Sequence, residues 1–168
     1  MVYTQHFRQH PSANNRLRLA TLILTLLAGS LNSTWANSAA AVDRHQHIVM
    51  ADGHPLTVWE KTPAQATAVI LLLHGRTWSS VPDFDLQVPG ESLSFMDGLN
   101  ALGYAVYALD ARGYGATPRD PSGWLTPDKA TQDTTRVLAW IKTRTELDIH
   151  LYGWSYGSMV SQLVVQRA

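Results

Sequence analysis

The chain has 168 residues, 45% of them hydrophobic and 15% charged, which excludes a disordered polymer and suits one folded domain. Thirteen basic residues balance thirteen acidic ones and no basic block interrupts the body of the chain, so nothing points to a nucleic-acid partner. Cysteine is absent, which excludes disulfides and thiolate metal sites and leaves the compartment open.

At the N-terminus, Arg8, Arg16 and Arg18 precede the apolar run Leu19 to Gly29, and no acidic residue occurs before Asp43. That is the layout of a signal peptide. The run is about 11 residues long, short of the roughly 20 a spanning helix needs. Small residues at Thr34 and Ala36 suggest cleavage after Ala36, with Ala40 as the alternative cut; a buried helix or an uncleaved anchor is the competing reading. The expectation is an exported protein, periplasmic or extracellular, with residues 1–36 as leader and residues 37–168 in the domain, and no stable membrane span after cleavage.

Beyond the leader, "HQHIVMADGHPLTVWEK" predicts two strands, Ile48 to Met50 and Leu56 to Glu60, around the turn residues Asp52 and Gly53. "AVILLLHG", Ala68 to Gly75, is a continuous branched run of the kind found in a parallel strand covered on both faces. The stretch "RTWSSVPDFDLQVPG" reads as a long loop, in which Trp78 and Phe84 either line a pocket or pack over the sheet. Leu93, Met96, Leu99 and Leu102 then share one helical face ahead of Gly103, a C-terminal cap, and a strand follows over Tyr104 to Asp110. Thr126 and Pro127 open a second helix whose face carries Ala130, Thr134, Val137, Leu138 and Ile141. A third parallel strand, Ile149 to Tyr152, leads into the amphipathic run "SMVSQLVVQ". Hairpin, strand, helix, strand, helix, strand, helix predicts an α/β fold with a doubly wound, mostly parallel sheet, and ligands gather at the carboxyl ends of such strands.

Three motifs fall at those ends. "GWSYG" (Gly153, Trp154, Ser155, Tyr156, Gly157) lies between a strand and a helix, where a sharp turn presents a serine hydroxyl and flanking glycines avoid clashes. The backbone N–H of Tyr156, at the start of the helix, faces a developing oxyanion in this reading. In "LLHGRTW", the strand delivers His74 and Gly75, and Arg76 offers a second backbone N–H; His74 is read as a structural histidine. In "DARGYGAT", Asp110 and Arg112 are expected to hold the loop by pairing with local backbone or each other, while Gly113 and Gly115 permit tight turns.

Taken together, HG-x after the third strand, D-x-R-G-x-G-x-[ST] after the fourth and G-x-S-x-G after the fifth resemble the α/β-hydrolase superfamily, over roughly His45 to Ala168. The resemblance implies that Ser155 is the nucleophile toward a small-molecule acyl substrate and that Arg76 and Tyr156 supply the oxyanion hole. A serine rather than an aspartate at this position argues against haloalkane dehalogenase and epoxide hydrolase members. Thr117 stands where serine is common. In this superfamily an acid and a histidine follow the serine in chain order. All seven histidines here (His6, His10, His45, His47, His54, His74 and His150) precede Ser155, and 13 residues follow it.

The expectation is therefore the front portion of an exported serine hydrolase, ending after the nucleophile helix and inactive alone; the alternatives are a non-catalytic binding module and completion by a separate chain. No cofactor is implied, and no metal: His45 and His47 beside Asp43 read as solvated residues. The sequence names no oligomeric state.

Overall fold

The computed structural model describes residues 42–167, so the expected leader, residues 1–36, lies outside the described residues. The first two strands, β1 (His45–Ala51) and β2 (His54–Lys61), pair antiparallel with Ala51 opposite His54. Asp52 and Gly53 between them both take left-handed φ values, 49° and 71°, as a two-residue hairpin turn demands. Both strands run longer than predicted, because the ladder continues through polar residues such as His45 and Lys61 that periodicity alone does not reveal.

Three parallel strands complete the sheet: β3 (Ala68–Leu73), β4 (Tyr104–Asp110) and β5 (Ile149–Gly153), in the order β1-β2-β4-β3-β5, with β2 antiparallel to β4. From β3 the chain crosses to β4 through α1 (Ser80–Phe84) and α2 (Phe95–Ala101), then returns past β3 to β5 through α3 (Pro127–Lys142). Because the two crossovers run in opposite directions along the sheet with one handedness, their helices cover opposite faces. The side chains confirm it by alternation. Val69, Leu71 and Leu73 of β3, with Ala105, Tyr107 and Leu109 of β4, pack with α3 and α4 (Tyr156–Gln166). Leu72, Val106 and Ala108 pack on the other face with Phe84 and Met96. The sheet is thus doubly wound and mostly parallel.

Local differences from the sequence reading have clear causes. The stretch expected to be loop contains α1, and Phe84 packs in the core against Phe95 and Tyr152 while Trp78 stays exposed. In α2, the Ser94 hydroxyl accepts the Asp97 N–H at 3.0 Å and starts the helix after Leu93. Leu93 and Leu102 are therefore exposed and off the packed face; only Met96 and Leu99 of the expected stripe pack inward. Gly103 closes the element with φ 89° and donates its N–H to Asn100 O. For α3, Thr126 caps the Lys129 N–H and Pro127 holds the first turn, as its sequence indicates.

The loop between α1 and α2 is pinned by a buried carboxylate. Asp85 accepts from Lys61 Nζ at 2.7 Å, Arg44 Nη1 at 2.6 Å, Gln87 Nε2 at 2.7 Å and Ser94 Oγ at 2.6 Å. Lys61, itself buried, also reaches Asp97 at 2.7 Å. No helix among the described residues is long and apolar enough to cross a membrane.

Candidate active site

The site is built where β5 turns into α4. Ser155 sits in that turn with φ 53° and ψ −121°, a backbone conformation that side chains rarely adopt and that only a constraining frame maintains. The frame is made by its glycines. A Cβ on Gly153 would overlap the Gly157 carbonyl oxygen, and a Cβ on Gly157 would overlap the Leu73 carbonyl oxygen of β3. Close backbone approach across β5, the turn and β3 therefore forces the serine outward. Its side chain is exposed and makes no hydrogen bond with the described residues.

Beside the serine, Trp154 donates its indole N–H to Asp83 Oδ2 at 2.8 Å, tying the turn to α1. Its ring lies over Gly75, where a Cβ would come within 2.8 Å of Cζ2. The next residue of that loop, Arg76, places its guanidinium 5.4 Å from the centroid of the Tyr156 ring. The two residues expected to donate backbone N–H groups are thus brought together, and among the described residues neither N–H is taken by a backbone acceptor. Burial pushes the Tyr156 phenol above its ordinary value, with the Arg76 charge acting the other way, and the buried phenol oxygen has no hydrogen-bond partner.

His74 is wired into the scaffold. It is buried, its Nε2 accepts the Ala111 N–H at 3.0 Å, and Nδ1 lies 2.7 Å from Gly75 O. An acceptor at Nε2 places the proton on Nδ1, so both nitrogens are occupied in the neutral ring. The other described histidines make no contact with Ser155. His47 meets Glu60 at 2.6 Å, His54 meets Pro118 O at 3.1 Å, and His45 is exposed on β1. His150 lies exposed on β5 against the Tyr104 ring.

Asp110 and Arg112 do not pair with each other. Asp110, fully buried, accepts Trp59 Nε1 at 2.9 Å, the Ser80 N–H at 2.8 Å and the Ala116 N–H at 2.9 Å. It therefore ties β2, the start of α1 and its own loop to one carboxylate. Gly115 leaves room for it, since a Cβ there would overlap the Asp110 carboxylate, and both Gly113 and Gly115 have positive φ, 82° and 54°. Thr117 extends the network by accepting the Thr57 N–H at 2.8 Å and donating to Asp110 O at 2.7 Å. Arg112 turns the other way and forms a fork with Asp133 of α3, Nε to Oδ2 at 2.7 Å and Nη2 to Oδ1 at 2.6 Å, with Nη1 on Asp120 at 2.6 Å. The sequence carried a signal for this: Asp133 sits within the buried stripe of α3, and an acid on such a stripe requires a buried cation.

Residues 70–168 match the profile of the Alpha/beta hydrolase family. The chain belongs to that family. Among curated proteins, this α/β-hydrolase is 30% identical over 118 residues to the lysophosphatidylserine lipase ABHD12 of Xenopus tropicalis, and equally to that of Mus musculus. The matches cover 70% of this chain but 28% and 27% of those proteins, so the chain spans less than a third of the length of the curated relatives it matches. Solved α/β-hydrolase structures superpose well. An epoxide hydrolase from Vigna radiata gives a TM-score of 0.56 at 22% identity, over 73% of this chain and 34% of that one. A serine hydrolase homologue from Coxiella burnetii gives 0.55 at 16% identity, over 73% and 58%. A thioesterase domain from the curacin biosynthetic pathway gives 0.58 at 18% identity, over 74% and 40%. At these identities the likeness establishes the fold alone.

Proposed function

We propose that this α/β-hydrolase cleaves an ester or related acyl bond through Ser155. The observation that carries the reading is the backbone of Ser155, held at φ 53° and ψ −121° with an exposed hydroxyl at the start of α4. In the reaction, Ser155 Oγ attacks the substrate carbonyl carbon and gives its proton to a general base. The Arg76 and Tyr156 N–H groups hold the resulting oxyanion, and the α4 dipole favours that charge. Collapse, with the base passing that proton to the leaving oxygen, expels the alcohol and leaves an acyl-enzyme, which water activated by the same base hydrolyses. The name of the curated relatives, lysophosphatidylserine lipases, agrees with ester chemistry.

The base is proposed to be a histidine outside residues 42–167, oriented by a carboxylate also outside them, because His74, His47, His54 and His150 make their contacts with other groups and no described histidine is hydrogen-bonded to Ser155. The deciding experiment treats full-length protein with a fluorophosphonate probe and with p-nitrophenyl butyrate. Labelling and turnover that both disappear in Ser155→Ala, the latter by about 10⁴-fold or more, are expected. The observation that Ser155 Oγ has no partner among the described residues favours a second reading, a non-catalytic module that keeps the cleft; absence of labelling in the full-length protein selects it. The basic and apolar pattern of residues 1–36 further supports export, which an N-terminus beginning at Asn37 in the secreted or periplasmic protein would establish.

A further inference from the structure

Between the β4–α3 loop and Arg76 lies a cleft of about 220 Å³, lined among others by Arg76, Arg112, Arg119, Asp120, Tyr114 and Trp124. Its charges do not cancel. Arg112 is saturated by Asp133 and Asp120. Asp120, the carboxylate on the lining, is also bonded by the Ser122 hydroxyl and by Lys129 Nζ at 3.0 Å, contacts that hold it well below the ordinary carboxylate range. Arg112 and Lys129 therefore offset Asp120 and Asp133, two charges against two. Arg76 and Arg119 remain, and among the described residues neither has a carboxylate partner.

The fold fixes the Arg76 guanidinium and the stem of Arg119, both residues being exposed. Arg76 is stacked over Tyr156, and the Arg119 stem lies against Gly113, where a Cβ would come within 3.2 Å of Cγ. Arg76 and Tyr114 also line a second, small cavity that extends to Tyr156, the residue after Ser155 in the chain. A guanidinium presents a planar fork of donors matched to carboxylate and phosphate oxygens. The geometry points to an oxyanion subsite: Arg76 and Arg119 bind a carboxylate or phosphate carried by the substrate while its carbonyl sits at Ser155. This inference rests on the hydrolase reading for the word substrate, but the anion site stands or falls independently.

The test has two arms on full-length protein. The first compares mono-p-nitrophenyl adipate with p-nitrophenyl hexanoate, which differ by a terminal carboxylate in place of a methyl group. The adipate ester is expected to be preferred in kcat/KM by about tenfold, a preference that Arg119→Gln removes. The second arm needs no turnover. Inorganic phosphate is titrated into Ser155→Ala protein, and binding is expected to weaken about tenfold in Ser155→Ala/Arg119→Gln. Phosphate binding without any ester turnover upholds the subsite and refutes the hydrolase reading. Turnover with no adipate preference and no phosphate binding refutes the subsite and leaves the hydrolase reading intact. An adipate preference that phosphate does not compete against assigns the site to carboxylates; competition assigns it to phosphate as well.

Discussion

The backbone N–H of Ala111 donates to Nε2 of His74 at 3.0 Å, joining the loop after β4 to the end of β3. The ring completes the link through Gly75 O, so this histidine is a strut between the loops that follow β3 and β4. Replacing it by a residue of similar bulk without nitrogen, His74→Phe, leaves the part-buried Ala111 N–H without a partner and the Gly75 carbonyl with only the longer bond from the Trp78 N–H at 3.4 Å. The expected cost is about 1–3 kcal/mol, read from urea unfolding.

The strained serine yields a prediction of opposite sign. Glycine accepts φ 53° without a side-chain penalty, so Ser155→Gly should stabilise the fold by about 1 kcal/mol while removing turnover. Gly157→Ala should do the reverse, because its methyl group would meet the Leu73 carbonyl oxygen and lies 2.8 Å from the His74 oxygen. A loss of about 2 kcal/mol or more is expected from the same unfolding measurement.

Arg112→Lys tests the fork onto α3. A lysine supplies one point charge where Asp133 receives two parallel bonds and Asp120 a third. A buried carboxylate is then left short of donors, at a cost of about 3 kcal/mol in thermal unfolding, with faster amide exchange across residues 111–125.

The Asp85 cluster sets a pH dependence. Burial alone would raise this carboxyl, but donors from Lys61, Ser94, Gln87 and Arg44 outweigh it and hold the group below its ordinary value. With the folded value depressed, its stabilising contribution is complete above the unfolded value of about 4 and disappears as pH falls through the folded one. The urea midpoint should drop as pH falls below about 4, and Asp85→Asn should flatten that drop while costing about 3 kcal/mol at neutral pH.

How much of this was legible in the sequence depended on whether a residue acts through its neighbours in the chain. The run Ala68 to Gly75, the strand Tyr104 to Asp110 and the cap formed by Thr126 and Pro127 are local signals and appear where the pattern places them. The strand–turn–helix around Ser155 was equally readable, since its glycines serve contacts within a few residues and with an adjacent strand. Polar wiring was not. Trp59 meets Asp110 from 51 positions away and Arg112 meets Asp133 from 21, and no spacing rule in a single chain names such partners. Leu93 and Leu102 misled for a related reason: helical periodicity extends the stripe, but the Ser94 hydroxyl and the turn at Gly103 decide where the helix stops.

The indole of Trp154 resting on Gly75 makes evolution at these two positions a joint affair. Any side chain at position 75 evicts the ring and frees its bond to Asp83, so descendants that keep the tryptophan are confined to glycine there. A lineage that first shrank residue 154 would open position 75 to alanine or serine. The order of those two steps, and not the fitness of either alone, decides which loop sequences this scaffold can reach.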